Sequence, residues 1–208
     1  MSTQAQRATL QRRPLVKQLL DGADDNLLVI AGLGSSNWDI TAAGDRPLNM
    51  PLWGSMGAPV GMGLGLAMAQ PTKRVLVITG DGDMLMSLGS LATVATQMPE
   101  NLAIVVLDNE KFGETGNQAT HTSPRNNGPT DSGAGTDLAM IARGCGIADA
   151  TTVRESSEVA ELVKDVRTKK GPVFRLVKVM VEKLEFVMPP QDGAHLKDRF
   201  RQALLGHP

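Results

Sequence analysis

The chain contains 208 residues, with a formal net charge of −1, one cysteine, no tyrosine and 3% aromatic residues. This length suits one α/β domain with a sizeable core, and the balanced charge argues against a nucleic-acid-binding surface. Cys145 cannot form a disulfide within the chain, and the sequence has neither a signal-peptide core nor an apolar run of the roughly 20 residues that cross a bilayer. We therefore expect a cytoplasmic protein that binds neither nucleic acid nor membrane.

Strands and helices are predicted to alternate along the chain. Short apolar runs predict buried strands at residues 27–31, 75–79, 102–107, 150–153 and 173–179. Helix-like spacing and N-cap residues predict helices at residues 10–20, 84–97 and 156–167, after Thr136 and Asp137, and from Gly193 onward. This alternation predicts a three-layer α/β fold, in which helices cover both faces of a parallel sheet. We expect residues 1–208 to form a single domain with a short helical tail from about residue 190.

Four segments have less regular patterns. Residues 37–52 are rich in polar and turn residues, which predicts a loop. Residues 53–71, WGSMGAPVGMGLGLAMAQP, are small and apolar all round, which predicts a buried helix packed closely on its neighbours. Residues 110–135 predict a long polar loop, which in a compact domain is usually functional or mobile. The basic residues Arg7, Arg12 and Arg13 predict a solvated face or a subunit contact.

Two of the predicted strands end at polar residues. The strand at 75–79 is followed by Gly80-Asp81-Gly82, and the strand at 102–107 is followed by Asp108-Asn109. Because ligands bind parallel sheets beyond the carboxyl ends of the strands, Asp81 and Asn109 are expected to converge. Carboxylate and amide oxygens suit Mg²⁺, and the glycines beside Asp81 allow backbone N–H groups to approach a phosphate. The alternative is a tight turn with a solvated aspartate.

These residues resemble those of a known family. Gly80-Asp81-Gly82, followed about 25 residues later by an Asn-containing pair, resembles the thiamine-diphosphate fingerprint. The preceding stretch LWGSMGAPVGMGLGLAMA resembles the segment before the fingerprint strand in the diphosphate-binding (PP) domain of thiamine-diphosphate-dependent decarboxylases. Within that family, DNEKFGETGNQATHTS most resembles the branch of sulfopyruvate decarboxylase β subunits and phosphonopyruvate decarboxylases. A dinucleotide-binding alternative, suggested by AGLGSSN and GMGLGLA, lacks the full glycine pattern.

The resemblance implies a thiamine-diphosphate-binding fold and a cofactor pair of thiamine diphosphate and Mg²⁺. Three oxygen donors would hold the metal: Asp81, Asn109 and the backbone carbonyl of Lys111. The fingerprint turn would contact the cofactor's diphosphate through Gly80, Gly82 and Asp83. Many family members have serine at the position of Asp83, and an additional carboxylate beside a diphosphate is unfavourable unless it turns away or meets the metal.

Two further positions match residues around the organic part of the cofactor. Met56 matches the bulky residue that supports the bent cofactor, and the carbonyl of Gly54 would accept a hydrogen bond from the cofactor's amino group. Family members also need a glutamate from a pyrimidine-binding (PYR) domain, which is about as long as this chain. The resemblance therefore implies half a site, completed by a PYR-type α subunit in a hetero-oligomer.

The stretch after Asn109 is the predicted substrate region. Residues 113–128 contain almost no apolar surface. They offer four hydroxyl groups, on Thr115, Thr120, Thr122 and Ser123. We expect a small 2-oxo acid with a second anionic group, such as sulfopyruvate or phosphonopyruvate. The alternative is a mobile polar loop that the partner covers.

Three residues are the predicted catalytic and substrate contacts. Thr115 and Gln118 would contact the substrate, and His121 would transfer a proton. Arg125 would meet the second anionic group. Two other functions stay open: a carboligating or aldehyde-transferring enzyme resembling acetolactate synthase, and a non-catalytic binding protein that kept the fold.

Overall fold

The structure is a computed structural model that describes residues 8–124 and 135–207. The helices in these ranges are α1 (Arg12–Leu20), α2 (Ser35–Ala42), α3 (Pro59–Ala69), α4 (Asp81–Leu85), α5 (Gly89–Gln97), α6 (Leu138–Gly144), α7 (Val159–Thr168) and α8 (Gly193–Leu205). The strands are β1 (Leu27–Ala31), β2 (Asn49–Pro51), β3 (Arg74–Gly80), β4 (Leu102–Asp108), β5 (Lys111–Phe112), β6 (Gln118–Ala119), β7 (Ala150–Val153) and β8 (Val173–Lys178). Short 3₁₀ turns lie at Gly113–Thr115 and Ser156–Glu158.

Six of these strands form one parallel sheet in the order β2-β1-β3-β4-β8-β7. One apolar cluster packs α1, α2 and α7 on one face of the sheet, and a second packs α3, α5, α6 and α8 on the other. This arrangement confirms the predicted three-layer α/β fold. In the part of the chain that is described, no helix is long and apolar enough to cross a membrane.

The core explains why the strands read as continuous apolar runs. In β3, Val75 and Val77 belong to one apolar cluster, whereas Leu76 and Ile78 belong to the other. Successive strand residues point to opposite faces, so a sheet covered on both faces needs apolar residues at every position. The neighbouring strands β3 and β4 are in register from Val75↔Leu102 to Gly80↔Leu107, so both reach the same edge of the sheet.

The loop predicted at residues 37–52 is wrong over most of its length. Helix α2 occupies Ser35–Ala42, and β2 occupies Asn49–Pro51 at the sheet edge. Two buried polar residues of α2 have distant partners: Asn37 Nδ2 donates to the carbonyl oxygen of Leu52 at 3.1 Å, and Asp39 pairs with two arginines. Distant residues thus satisfy Asp39 and the Asn37 amide N–H, whereas Asn37 Oδ1 and Trp38 Nε1 are buried without a hydrogen-bond partner among the described residues.

Three other segments differ from their predicted structure. The predicted helix at 84–97 is two helices, because Met86 and Ser87 donate back to Asp83 and Met84 and close α4 before α5 begins. Helix α3 is buried on one face only, and Met62 and Met68 remain 43% and 55% exposed on the other. Residues 110–124 are not structureless, since β5 and β6 form an antiparallel hairpin.

Candidate active site

A pocket opens at the edge of the sheet where β1, β3 and β4 end. It contains eight of the residues predicted from sequence: Met56, Gly80, Asp81, Gly82, Asp83, Asn109, Lys111 and Thr115. Among the described residues, Gly54, Gln118 and His121 are exposed and lie outside the pocket lining. Arg125 lies outside the described residues. The structure thus brings the fingerprint residues together, and it leaves the proposed proton donor on the surface.

Asp81 begins α4 and is held by two threonines of the polar segment. Its Oδ2 accepts hydrogen bonds from the hydroxyls of Thr120 at 2.5 Å and Thr122 at 3.1 Å. All three residues are buried, with at most 3% exposure. The expectation that these two hydroxyls face a substrate is therefore wrong, because Asp81 already occupies them.

A second buried carboxylate lies beside Asp81. Asp108 Oδ1 accepts from Thr122 Oγ1 at 2.8 Å, and Asp108 Oδ2 accepts from Lys178 Nζ at 2.7 Å. Lys178 Nζ also donates to Glu110 Oε1 at 2.7 Å. The pKa of Asp81 is raised to about 7, mainly by burial and secondly by the charge of Asp108. The hydrogen bonds from the threonines oppose this shift. Lys178 thus sets one positive charge against Asp108 and Glu110, and Asp81 has no cationic partner among the described residues, an excess of negative charge that a divalent cation would balance.

The turn after β4 brings two more oxygen donors to the pocket. Glu110 has a φ of +63°, which is uncommon for a residue with a side chain. The turn is stabilised by two side-chain acceptors, since Asp108 Oδ1 accepts from Glu110 N at 3.1 Å and Asn109 Oδ1 accepts from Lys111 N at 3.0 Å. Within the ranges described, no three His, Cys, Asp or Glu side chains could hold a metal. Magnesium would therefore rest on carboxylate, amide and carbonyl oxygens, the hard donors that suit it.

Asp83 is bonded inward, toward the loop that carries Met56. Its carboxylate accepts from Thr79 Oγ1 at 2.6 Å and from the backbone N–H of Gly57. A Cβ on Gly32 would overlap this carboxylate, so the residue that directly follows β1 must be glycine. Burial raises the pKa of Asp83, and the hydrogen bonds from Gly57 and Thr79 oppose that shift. These contacts hold the Met56 loop against β3 and occupy both oxygens of the Asp83 carboxylate.

Two parts of the pocket were not predicted from the sequence. Gly34, Ser35 and Ser36, at the start of α2, line it beside the fingerprint turn. The glycine-serine stretch directly after β1, at the same sheet edge as Asp81, is the sequence signal that could have identified them. Arg12 also lines the pocket and is only 4% exposed, so the predicted solvated face is wrong for this residue. Its partner Asp39 lies 27 residues away in α2, so the pairing has no local sequence signal.

Fold and pocket together define the diphosphate-binding domain of a thiamine-dependent enzyme. The chain belongs to the thiamine pyrophosphate enzyme family, because residues 34–177 match the model of its C-terminal TPP binding domain. This match and the fold confirm the family predicted from the fingerprint.

Curated relatives refine that class. The chain is 37% identical to sulfopyruvate decarboxylase subunit beta of Methanocaldococcus jannaschii over 142 residues, which cover 68% of this chain and 70% of the relative. It is 32% identical to the subunit of the same name from Methanothermobacter thermautotrophicus over 197 residues, covering 95% and 97%. It is also 29% identical to phosphonopyruvate decarboxylase of Streptomyces viridochromogenes, covering 89% of this chain and 44% of that relative.

Solved structures agree on the fold. The chain superposes on the 2-oxoglutarate:ferredoxin oxidoreductase of Magnetococcus marinus with a TM-score of 0.66 at 18% identity. The match covers 95% of this chain and 78% of the other. At this identity the likeness establishes the fold alone.

Proposed function

We propose that the chain is the thiamine-diphosphate- and Mg²⁺-binding subunit of a 2-oxo acid decarboxylase. The observation that carries this proposal is the placement of Asp81 and Asn109 in one pocket, at the ends of adjacent strands. Asp81, Asn109 and the carbonyl of Lys111 would hold the metal. The cofactor, when bound, would supply the electron sink that decarboxylation needs.

The remaining pocket residues would hold the organic cofactor. Backbone groups of Gly80, Gly82 and Asp83 would contact the diphosphate, and Gly82 must lack a side chain because the Phe112 ring packs where its Cβ would lie. Met56 would support the bent cofactor, and the carbonyl of Gly54 would accept a hydrogen bond from its amino group. The inward hydrogen bonds of Asp83 position this loop.

We further propose a substrate with two anionic groups, sulfopyruvate or phosphonopyruvate. The names of the curated relatives support this class. In the β5–β6 hairpin, Thr115 Oγ1 donates to Gln118 Oε1 at 2.7 Å, and Gln118 Nε2 donates back to the carbonyl oxygen of Thr115 at 2.9 Å. These two residues therefore hold each other in place, with Thr115 on the pocket side. His121 would reach the substrate only where a partner closes over the hairpin.

A PYR-type α subunit is the proposed partner, and we take this chain as a single PP-type domain. The beta-subunit names of the relatives imply a hetero-oligomer, and this chain matches only part of the longer decarboxylases. The outer face of α3 offers an apolar surface to such a partner. It consists of Gly61, Met62, Gly65, Met68 and Ala69, all of them exposed.

The test is purification of the chain with whatever subunit accompanies it, followed by assay of the complex on sulfopyruvate, phosphonopyruvate and pyruvate. We expect Mg²⁺- and thiamine-diphosphate-dependent release of CO₂ from the dianionic acids, and no activity from the chain alone. A carboligated product would instead favour the chemistry of acetolactate synthase, to which the chain is 25% identical over 189 residues. Cofactor binding without turnover of any 2-oxo acid would favour a non-catalytic role.

A further inference from the structure

A buried cluster of two arginines and one aspartate forms part of the pocket wall. Asp39 is fully buried, and its two carboxylate oxygens accept from Arg12 Nε and, at 3.0 Å, from Arg13 Nε. Two guanidinium groups on one carboxylate leave one positive charge. A buried charge without a partner is costly, so the cluster is expected to meet an anion when the protein is functional.

Among the described residues, no carboxylate other than Asp39 forms an ion pair with the Arg12 guanidinium. Glu182 accepts from the backbone N–H of Arg12 at 2.8 Å, so it binds the first turn of α1 and not the guanidinium. Glu182 is partly exposed, and water screens its charge. Arg13 Nη2 donates to the carbonyl oxygen of Glu185 at 2.7 Å and points to the surface.

Only Arg12 of the two arginines faces the pocket. Its side chain is 5% exposed and lies among the pocket-lining residues, whereas the Arg13 side chain is 23% exposed and lies outside them. Asp39 holds Arg12 through Nε, and among the described residues no acceptor pairs with its Nη atoms. The outer edge of the guanidinium, with four N–H donors, is therefore available to a ligand.

The surroundings of Arg12 favour a phosphate-type anion. Arg12 shares the pocket with Gly34, Ser35 and Ser36, whose backbone N–H groups begin the eight-residue helix α2. The Glu114 carboxylate already lies near the start of α2, since a Cβ on Gly34 would be only 2.9 Å from Glu114 Oε1. A helix N-terminus beside a buried guanidinium combines two features that bind tetrahedral oxyanions.

We propose that Arg12 binds the diphosphate of the cofactor directly, with Asp39 as the residue that positions it; this inference rests on the proposed function. A magnesium ion that also binds Asp81 leaves part of the diphosphate charge unneutralised, and Arg12 supplies the remaining positive charge. The diphosphate is favoured over a substrate sulfonate because its two phosphoryl groups can reach both the start of α2 and the Gly80–Gly82 turn.

The experiment compares Arg12→Gln with Arg13→Gln, a matched control that also removes one partner of Asp39. Binding of thiamine diphosphate with Mg²⁺ is measured by calorimetry on the copurified complex, and inorganic pyrophosphate is titrated in parallel. We expect Arg12→Gln to weaken both ligands about tenfold or more, and Arg13→Gln to change them less than about twofold. Arg12→Lys, which keeps the charge and loses the planar fork, should lie between them.

If Arg12→Gln does not fold, the double variant Arg12→Gln/Asp39→Asn removes both charges and answers the same question. Equal weakening by the Arg12 and Arg13 variants overturns the inference, because it indicates a purely structural role. Unchanged cofactor affinity with a raised KM for sulfopyruvate also overturns it and assigns the anion to the substrate. Failure of the parent complex to bind thiamine diphosphate, while pyrophosphate still binds through Arg12, refutes the proposed function and leaves the anion site intact.

Discussion

Asp81 and Asp108 are two buried carboxylates that meet at one hydroxyl group. Thr122 Oγ1 lies 3.1 Å from Asp81 Oδ2 and 2.8 Å from Asp108 Oδ1. Asp108 is also neutralised by Lys178, whereas Asp81 faces the pocket. Asp108 therefore has a structural role, whereas Asp81 is free to bind a cation. The contacts around these two carboxylates lead to four predictions.

Asp81→Asn should weaken Mg²⁺-dependent binding of thiamine diphosphate about tenfold or more, roughly 1.4 kcal/mol, because one charged ligand is lost. Calorimetry on the assembled complex measures this. Asp137→Asn is the control, since Asp137 is an exposed helix cap that asparagine can replace. Unchanged cofactor affinity in Asp81→Asn would refute the metal assignment.

The same substitution should stabilise the magnesium-free chain at neutral and higher pH. The pKa of Asp81 is raised from 3.8 to about 7 by burial and by Asp108, so the folded state holds a proton that the unfolded state has released. Through this group, stability falls as pH rises from about 4 to 7 and is constant outside that window. Melting temperatures of the parent and Asp81→Asn should therefore diverge between pH 5 and pH 8. Parallel curves would contradict the raised pKa.

Thr122→Val should destabilise the chain by about 1–3 kcal/mol, because a nearly isosteric change removes the buried hydroxyl that Asp81 and Asp108 share, leaving Asp81 with only the Thr120 hydroxyl. Urea unfolding measures the loss, and Thr122→Ser should restore most of it. Thr151→Val on β7 is the matched control, since Thr151 is exposed in a strand. A similar effect from both valine variants would show that the hydrogen bonds at Thr122 contribute little.

Lys178→Met should cost about 3–5 kcal/mol, since it leaves Asp108 charged and buried without its cation. The Lys178 side chain is 13% exposed and bonds Asp108 and Glu110. Lys170→Met is the control, because Lys170 and its partner Glu100 are 82% and 69% exposed. Equal stability of the two variants in urea would contradict the buried-pair account.

Glycine substitutions in α3 should separate the fold from the partner surface. Gly65→Ala should stabilise the isolated chain by about 0.5–1 kcal/mol, because nothing lies near the added Cβ, and yet it should weaken assembly with the partner. Gly63→Ala should destabilise the chain itself, because its Cβ would overlap Val77. Melting temperature and size-exclusion chromatography report the two effects. Gly144→Ala, exposed at the end of α6, should stabilise the chain without affecting assembly.

The sequence alone determined the fold class and the central pair of the site. Apolar runs that alternate with helices specify a parallel sheet, and β1 has the bounds that were predicted. Asp81 and Asn109 could be recognised because each directly follows a buried strand, and strand ends are a local signal. The register of β3 and β4 then brings both residues to one edge.

Only the tertiary structure decided which polar groups surround that pair. Lys178 is 70 residues from Asp108, and Thr120 is 39 residues from Asp81, so no local pattern links them. The same holds for Arg12 and Asp39, which the sequence presents as a surface charge and a loop residue. Burial makes such side chains find specific partners, and the partner depends on which distant elements the sheet order makes neighbours. Local patterning fixes where strands end, whereas the charge balance of the pocket is set by contacts between distant parts of the chain.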